Sequence, residues 1–121
     1  MNTHEMSLAT EPFLLIKKGI KTIESRLNDE KRQLIKVGDI IIFKNSSNQT
    51  EVIKARVVRL LLQPTFVELF NMHEPLRFGK KSVESLMKQV YQFYSKEKET
   101  KYGVVGIQIE IIKKYTVSLK S

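Results

Sequence analysis

The chain contains no cysteine among its 121 residues. Disulfide bonds, thiol catalysis and cysteine-ligated zinc are therefore excluded, and the composition suits a reducing cytoplasm. Histidine is also scarce, since the chain has two, His4 and His73. Neither has a second histidine at ligand spacing, so we expect no metal site, and no cofactor is indicated.

Long apolar runs are absent as well. The longest, DIIIF and VVRLLL, fall far short of the roughly 20 residues of a membrane-spanning helix. The N-terminal segment MNTHEMSLATEP has no apolar run preceded by basic residues, unlike a secretory signal. We expect a cytoplasmic protein without membrane contact, folded as one domain over residues 1–121.

Acidic residues are outnumbered by basic ones. Lysine and arginine total 21 against 13 aspartates and glutamates, which gives a net charge of +8. Residues 17–36 hold seven basic and three acidic side chains, a net +4 and thus half of the excess. Such a field attracts polyanions, including RNA and DNA, although charge alone does not identify the partner.

The N-terminal segment is polar. We expect residues 1–8 to form a frayed tail in which only Met6 and Leu8 are able to dock. Thr10 is typical of a helix N-cap and Gly19 of a helix end, so a short helix is predicted between them.

The rest of the chain predicts several strands, with helices gathered before the last two. Residues 21–27 alternate as a strand whose one face carries Thr22, Glu24 and Arg26. Further strands are predicted at 40–45, 51–62 and 102–112, and an edge strand at 113–120. Helices are predicted at 64–72 and after the N-cap Ser82, whereas 95–101 is predicted to be a charged, solvated turn. Because strands and helices do not alternate, we expect an α+β or mainly β fold, a small curved sheet or barrel with helices beside it.

The segment GIKTIESR, residues 19–26, matches the Gly-x-Lys-x-x-Glu-x-Arg pattern of ASCH domains, which are members of the PUA-like superfamily. Its context agrees, because PFLLIKKG precedes it, IKVGDIIIF follows it and YGVVGIQIEII supplies a late strand. The resemblance covers roughly residues 8–112. It implies a small PUA-like β-barrel of about five or six strands, with a cleft beside the first helix lined by the charged residues of the motif. By analogy with the PUA domains of RNA-modifying enzymes, it also implies RNA as a partner.

The residue types of the motif suit a nucleotide cleft. Lys21 is a mobile cation suited to a phosphate, and Arg26 offers a planar fork for a phosphate or a surface on which a base stacks. Glu24 either holds the Arg26 guanidinium or accepts a hydrogen bond from a base amino group. Thr22 adds a hydroxyl on the same face. The alternative is that Glu24 and Arg26 form a structural ion pair while Lys21 is only solvated.

Other side chains near the motif are secondary candidates. Five basic residues are candidates for following a phosphate backbone: Lys17, Lys18, Lys31, Arg32 and Lys36. For any one of them a solvated surface charge is the simpler interpretation. Tyr102 precedes a strand start, where its ring can border the cleft. Tyr91 and Tyr94 fit the apolar stripe of a helix and are expected in the core, whereas Phe93 lies off that stripe and is a candidate for stacking.

A small hydrolase acting on a modified nucleoside or RNA is the alternative function. One branch of the ASCH-like family removes acetyl from acetylated cytidine, with a Gly-x-Lys-Thr-x-Thr-x-Arg motif whose second threonine is the nucleophile. This chain keeps Lys21 and Thr22 but has Glu24 at the nucleophile position, where a carboxylate requires a different mechanism. Some ASCH domains are also reported to cut RNA, for which Glu24 would be the base and Lys21 and Arg26 would stabilise the phosphorane charge. The sequence favours a binding module for RNA or a nucleotide-like ligand and leaves open enzymatic activity through Lys21, Thr22 and Glu24.

Overall fold

The computed structural model describes residues 1–113, and the following bounds refer to that part of the chain. The strands are β1 (Thr3–Leu8), β2 (Ile23–Leu27), β3 (Ile40–Asn45), β4 (Asn48–Gln63) and β5 (Val104–Ile111). The helices are α1 (Thr10–Lys17), α2 (Phe66–Phe70), α3 (Val83–Val90) and α4 (Lys96–Tyr102), with short 3₁₀ helices at Arg32–Leu34 and Pro75–Phe78. The edge strand predicted at 113–120 lies, apart from Lys113, outside the described residues.

The five strands form one curled sheet in the order β1-β3-β4-β5-β2. β1 runs parallel to β3, and the other neighbouring strands are antiparallel. The first half of β4 pairs with β3 and its second half with β5, with a bulge at Val58 where the register shifts. The sheet is thus a half-barrel whose two edges are β1 and β2, which confirms the predicted α+β, PUA-like fold class.

Apolar side chains pack on both sides of this sheet. The first core contains Phe13 and Ile16 of α1, packed with residues of the sheet such as Phe43. The second core lies between the sheet and the helices α2 and α3 and includes Ile23, as well as Tyr91 and Tyr94 at its margin, as their position in the stripe predicts. The first core fixes α1 against the sheet, and the second packs α3 with residues of the edge strand β2.

α2 approaches the sheet closely at Gly106. A β-carbon at this position would lie 2.9 Å from Leu69 Cδ1 and 3.1 Å from Ile23 Cγ2. Both neighbours are fully buried, so neither has room to move away. The glycine therefore allows the helix to pack directly on β5.

The prediction of a frayed tail over residues 1–8 is wrong for Thr3–Leu8, which form β1. Met6 and Leu8 are buried in the first core, and the strand pairs in parallel with β3. Asp39 also holds this end of the chain, since it accepts a hydrogen bond from the Asn2 N–H at 3.0 Å and lies 2.8 Å from His4 Nε2. These long-range partners order the segment, and a polar N-terminal sequence gives no sign of them.

The N-terminal boundary of α1 also differs slightly from the prediction. Ala9 is at the N-cap position, and Thr10 is the first helical residue. The Thr10 hydroxyl donates to Asn45 Oδ1 at 3.1 Å instead of capping the helix. The helix nevertheless ends before Gly19, which takes the positive φ of 79° expected after a helix.

The charged, solvated turn predicted at 95–101 is wrong, because Lys96–Tyr102 form α4 with Ser95 as N-cap. Glu99 on this helix is buried and accepts hydrogen bonds from the Phe66 N–H and the Tyr91 hydroxyl, both at 2.7 Å. Burial and the Glu99 carboxylate raise the pKa of Tyr91 to about 12. The buried, hydrogen-bonded carboxylate of Glu99 thus attaches this helix to the core, although the other charged side chains of the helix are exposed.

Candidate functional site

Three charged residues of the GIKTIESR motif converge where α1 gives way to β2. Lys21 Nζ lies 2.8 Å from Glu24 Oε1, and Arg26 Nε donates to Glu24 Oε2 at 2.6 Å. We call these three residues the charged triad. Its two cations occupy both oxygens of one carboxylate, so the triad has a net charge of +1.

The triad is largely withdrawn from solvent. Glu24 is 4% exposed, and the side chains of Lys21 and Arg26 are also mostly covered. Burial by itself raises the pKa of Glu24, but the charges of Lys21 and Arg26 and their hydrogen bonds outweigh it and lower the pKa to about 2. Burial likewise lowers the pKa of Arg26, and Glu24 and Tyr94 more than offset it and raise that pKa. Glu24 and Arg26 are therefore both charged at neutral pH.

The triad lines a cavity of about 670 Å³ that lies between the two edges of the half-barrel. β1 contributes Ser7 and Leu8, and α1 contributes its first turn. α3 and the residues after it form an apolar wall: Leu86, Val90, Phe93 and Tyr94. The Arg26 Nη2 atom spans the gap between the edges and makes a long contact of 3.5 Å with the Ser7 carbonyl oxygen.

Phe93 differs from the other aromatic residues of the wall. Tyr94 stacks on Phe66 with ring centroids 5.7 Å apart, so one face of its ring belongs to the core. Phe93, in contrast, is 74% exposed while it lines the cavity. An exposed phenyl ring at the mouth of a charged cavity is available for stacking against a planar ligand.

The cavity also contains residues that the sequence analysis did not select for the site. Ser25 lines it, although strand alternation places Ser25 opposite Glu24, because β2 is an edge strand and both of its faces border the gap. Ser25 Oγ is buried and has no hydrogen-bond partner among residues 1–113. Gln89 and Ser7 join it from α3 and β1. Ser25 stands in the motif at a position that the pattern leaves unspecified, and no motif signals Gln89 or Ser7, which tertiary packing brings to the cavity.

The other predicted site residues lie outside this cavity. Thr22 was expected beside Glu24 and Arg26, but its hydroxyl accepts a hydrogen bond from Arg77 Nε at 3.1 Å. Lys17 forms an exposed ion pair with Glu51 at 3.1 Å, and Lys18 is exposed. The Tyr102 hydroxyl donates to Glu30 Oε2 at 3.3 Å.

Arg32 is a flanking cation whose pKa is affected by burial and by the charge of Arg26 in the triad. Burial lowers its pKa first, and the positive charge of Arg26 lowers it further. It is half-buried and does not line the cavity. It therefore adds to the positive potential around Arg26 without forming part of the cavity surface.

No group of three or more histidine, cysteine, aspartate or glutamate side chains is placed to hold a metal ion within residues 1–113. Over the same residues, none of the helices combines the length and the apolar character needed to cross a bilayer.

The ASCH domain family matches residues 6–113, which include the whole charged triad. The chain belongs to the ASCH family. Two solved structures resemble this ASCH domain throughout. The crystal structure of hypothetical protein PH0355 has 41% sequence identity and a TM-score of 0.80, covering 93% of this chain and 100% of the other. The solution NMR structure of protein PF0455 from Pyrococcus furiosus has 37% identity and a TM-score of 0.73, covering 94% of this chain and 100% of the other. A search of the curated proteins finds no significant match.

Proposed function

We propose that this ASCH domain is an RNA-binding module that receives one unpaired nucleotide in the cavity beside α1. The observation that carries the proposal is that the cations Lys21 and Arg26 line the same space as the exposed ring of Phe93. Single-stranded nucleic acids are commonly bound by this combination of a cationic surface for phosphates and an aromatic ring for a base. The net charge of +8 supports the same class of ligand.

The volume of the cavity limits the size of the ligand that it can hold. Its volume of about 670 Å³ lies within the roughly 300–1,000 Å³ of small-molecule sites. A double helix does not fit such a space, whereas one nucleotide of a single strand does. A free nucleotide-like ligand would use the same contacts, and the RNA form is favoured by the basic surface around the motif. A cytoplasmic location, suggested by the absence of cysteine, is part of this proposal.

The charged triad is suited to binding more than to proton transfer. Glu24 has a pKa of about 2 and has both oxygens in ion pairs, so it is a weak base at neutral pH. The hydroxyl of Thr22 is bonded to Arg77 outside the cavity. No contact of these residues favours the hydrolase alternative, and Glu24 acts in the proposal as the group that orients Arg26.

Fluorescence anisotropy with a short, labelled, single-stranded oligoribonucleotide tests the proposal. We expect wild-type affinity to fall with salt, with a log–log slope of roughly −0.7 for each phosphate contacted. Phe93→Ala should weaken binding by about 1 to 3 kcal/mol, the usual contribution of one stacked base, whereas Phe93→Tyr should keep it.

Two further variants make the result specific. Leu62→Ala is the matched control, because Leu62 is a 60% exposed apolar residue on β4 that does not line the cavity, and its binding should equal wild type. Arg26→Ala should lose affinity at both low and near-physiological salt while remaining folded. Equal affinities for wild type, Phe93→Ala and Arg26→Ala, with binding only at low salt, would mean that RNA is attracted by net charge alone.

A further inference from the structure

A second group of polar residues lies where β4, β5 and the start of β2 run side by side. Arg59 on β4 is paired with Gln108 on β5, and Gln108 is paired with Ile23 on β2. Directly paired residues share one face of a sheet, so Arg59, Gln108 and Ile23 lie on the same face, and Thr22 immediately precedes Ile23 in the chain. None of these residues lines the cavity of the charged triad.

Arg77 is held in place beside this row. Its Nε donates to Thr22 Oγ1 at 3.1 Å, and its Nη1 lies 3.1 Å from His73 Nδ1. A guanidinium has no acceptor, so Nδ1 must accept, and the proton of the neutral imidazole is on Nε2. Burial lowers the pKa of His73, and the charges of Arg77 and Arg59 lower it further, which keeps the ring neutral at pH 7.

The positive charge here has no acidic partner. Among residues 1–113, no carboxylate forms an ion pair with Arg59 or Arg77. Glu74 follows His73 in the sequence but is exposed and makes no such pair. Arg59 and Arg77 thus carry positive charge without an acidic partner, and an anion bound between them would offset it.

The donors that remain suit an oxyanion. Arg77 retains its Nη2 group, and Arg59 has an exposed guanidinium. The Thr22 hydroxyl accepts from Arg77, so its own hydrogen is available for donation. Arginine forks match phosphate oxygens in pairs, and a hydroxyl supplies a further donor.

We propose that Arg59, Arg77 and Thr22 form a phosphate-binding site separate from the cavity of the charged triad. The phosphate is either a small free phosphate or a phosphodiester of a nucleic acid strand. The site is independent of the proposed nucleotide cavity, since the two share no residue. Arg77 is a positioned donor in it, and Arg59 is the exposed cation that closes it.

An NMR titration of the ¹⁵N-labelled protein with inorganic phosphate tests the site. We expect saturable shifts of the Arg59, Arg77 and Thr22 resonances. Arg59→Gln should weaken the affinity by about tenfold or more, as expected when a hydrogen bond to a charged group is lost. Arg56→Gln is the matched control, because Arg56 is also exposed on β4 but faces Glu110 in the sheet, and it should bind as wild type does.

Further arms separate the sources of phosphate and the two sites. Arg77→Lys keeps the charge but loses the fork, so it should also weaken binding. Arg26→Ala should leave the phosphate shifts unchanged, whatever it does to RNA binding. An oligoribonucleotide without terminal phosphates that competes with inorganic phosphate indicates a phosphodiester, and one that does not compete indicates a small phosphate. Shifts that grow without saturating, or equal affinity in wild type and Arg59→Gln, would overturn the proposal.

Discussion

Arg26 donates from Nε to Glu24 Oε2 at 2.6 Å, across one intervening residue of the edge strand β2. The other oxygen of the same carboxylate faces Lys21 Nζ at 2.8 Å. The two ion pairs therefore share one buried anion, and the Arg26 guanidinium is held with its outer nitrogens towards the gap between β1 and β2. Glu24 and Arg26 thus form a structural ion pair and also line the cavity, whereas the alternative expectation that Lys21 is only solvated is wrong, because Lys21 is mostly covered and paired with Glu24.

The first prediction concerns the stability of the charged triad. Glu24→Gln keeps the shape of the side chain but leaves Lys21 and Arg26 buried without their anion. The free energy of unfolding should fall by about 3 to 5 kcal/mol, as is typical when one partner of a buried ion pair is removed. Urea denaturation followed by circular dichroism measures the change.

Glu51→Gln is the control for that experiment. Glu51 pairs with Lys17 at the surface, where the pair is screened by solvent, so this change should cost less than about 1 kcal/mol. If Glu24→Gln costs no more than Glu51→Gln, the buried triad does not stabilise the fold.

The second prediction concerns acid. The pKa of Glu24 lies at about 2 in the folded protein against an ordinary value of 4.5, and the pKa of Asp39 lies at about 2 against 3.8. For Asp39 the main cause is the hydrogen bond from the Asn2 N–H, followed by those from His4 and the Lys36 N–H. Between these values the unfolded chain binds more protons than the folded chain, so stability is complete above about pH 4.5 and falls as the pH decreases towards 2.

Carboxyl ¹³C NMR titration checks this directly. Glu24 and Asp39 should remain ionised at pH values where ordinary surface carboxylates are already protonated. Glu24→Gln and Asp39→Asn should each reduce the dependence of the urea midpoint on pH in the acid range. An ordinary titration midpoint for Glu24 would contradict the assignment of two ion pairs to its carboxylate.

The third prediction concerns Glu99, the buried carboxylate of α4. Burial is the first cause of the raised pKa of Tyr91, and Glu99→Gln removes the second, the carboxylate beside the hydroxyl, so the pKa should fall from about 12 part of the way towards the ordinary 10. Ultraviolet titration measures this, with Tyr91→Phe identifying the signal. Glu97→Gln, a change of an exposed glutamate on the same helix, should leave the pKa of Tyr91 unchanged. An equal effect of both variants would mean that Glu99 does not set the ionisation of Tyr91.

Most elements of the fold were predictable from local patterns in the sequence. Apolar runs predicted β3 and β4, alternating isoleucines predicted β5, and Ser82 predicted the start of α3. These elements are predictable because strand alternation and helix capping depend on neighbours in the sequence. β1 and α4 were missed because their order depends on distant partners, namely β3 for β1 and the Phe66 N–H for Glu99.

The sequence by itself determined the family and the charged triad, because Gly19, Lys21, Glu24 and Arg26 stand at fixed spacing within one short segment. Only the tertiary structure decided which neighbours share the cavity. The hydroxyl of Thr22, which precedes β2, accepts a hydrogen bond from Arg77 and does not line the cavity. Phe93, Ser25 and Ser7 line it instead. The physical reason is that the cavity lies between two sheet edges and a helix that are far apart in the chain, so its lining depends on how the half-barrel curls and packs.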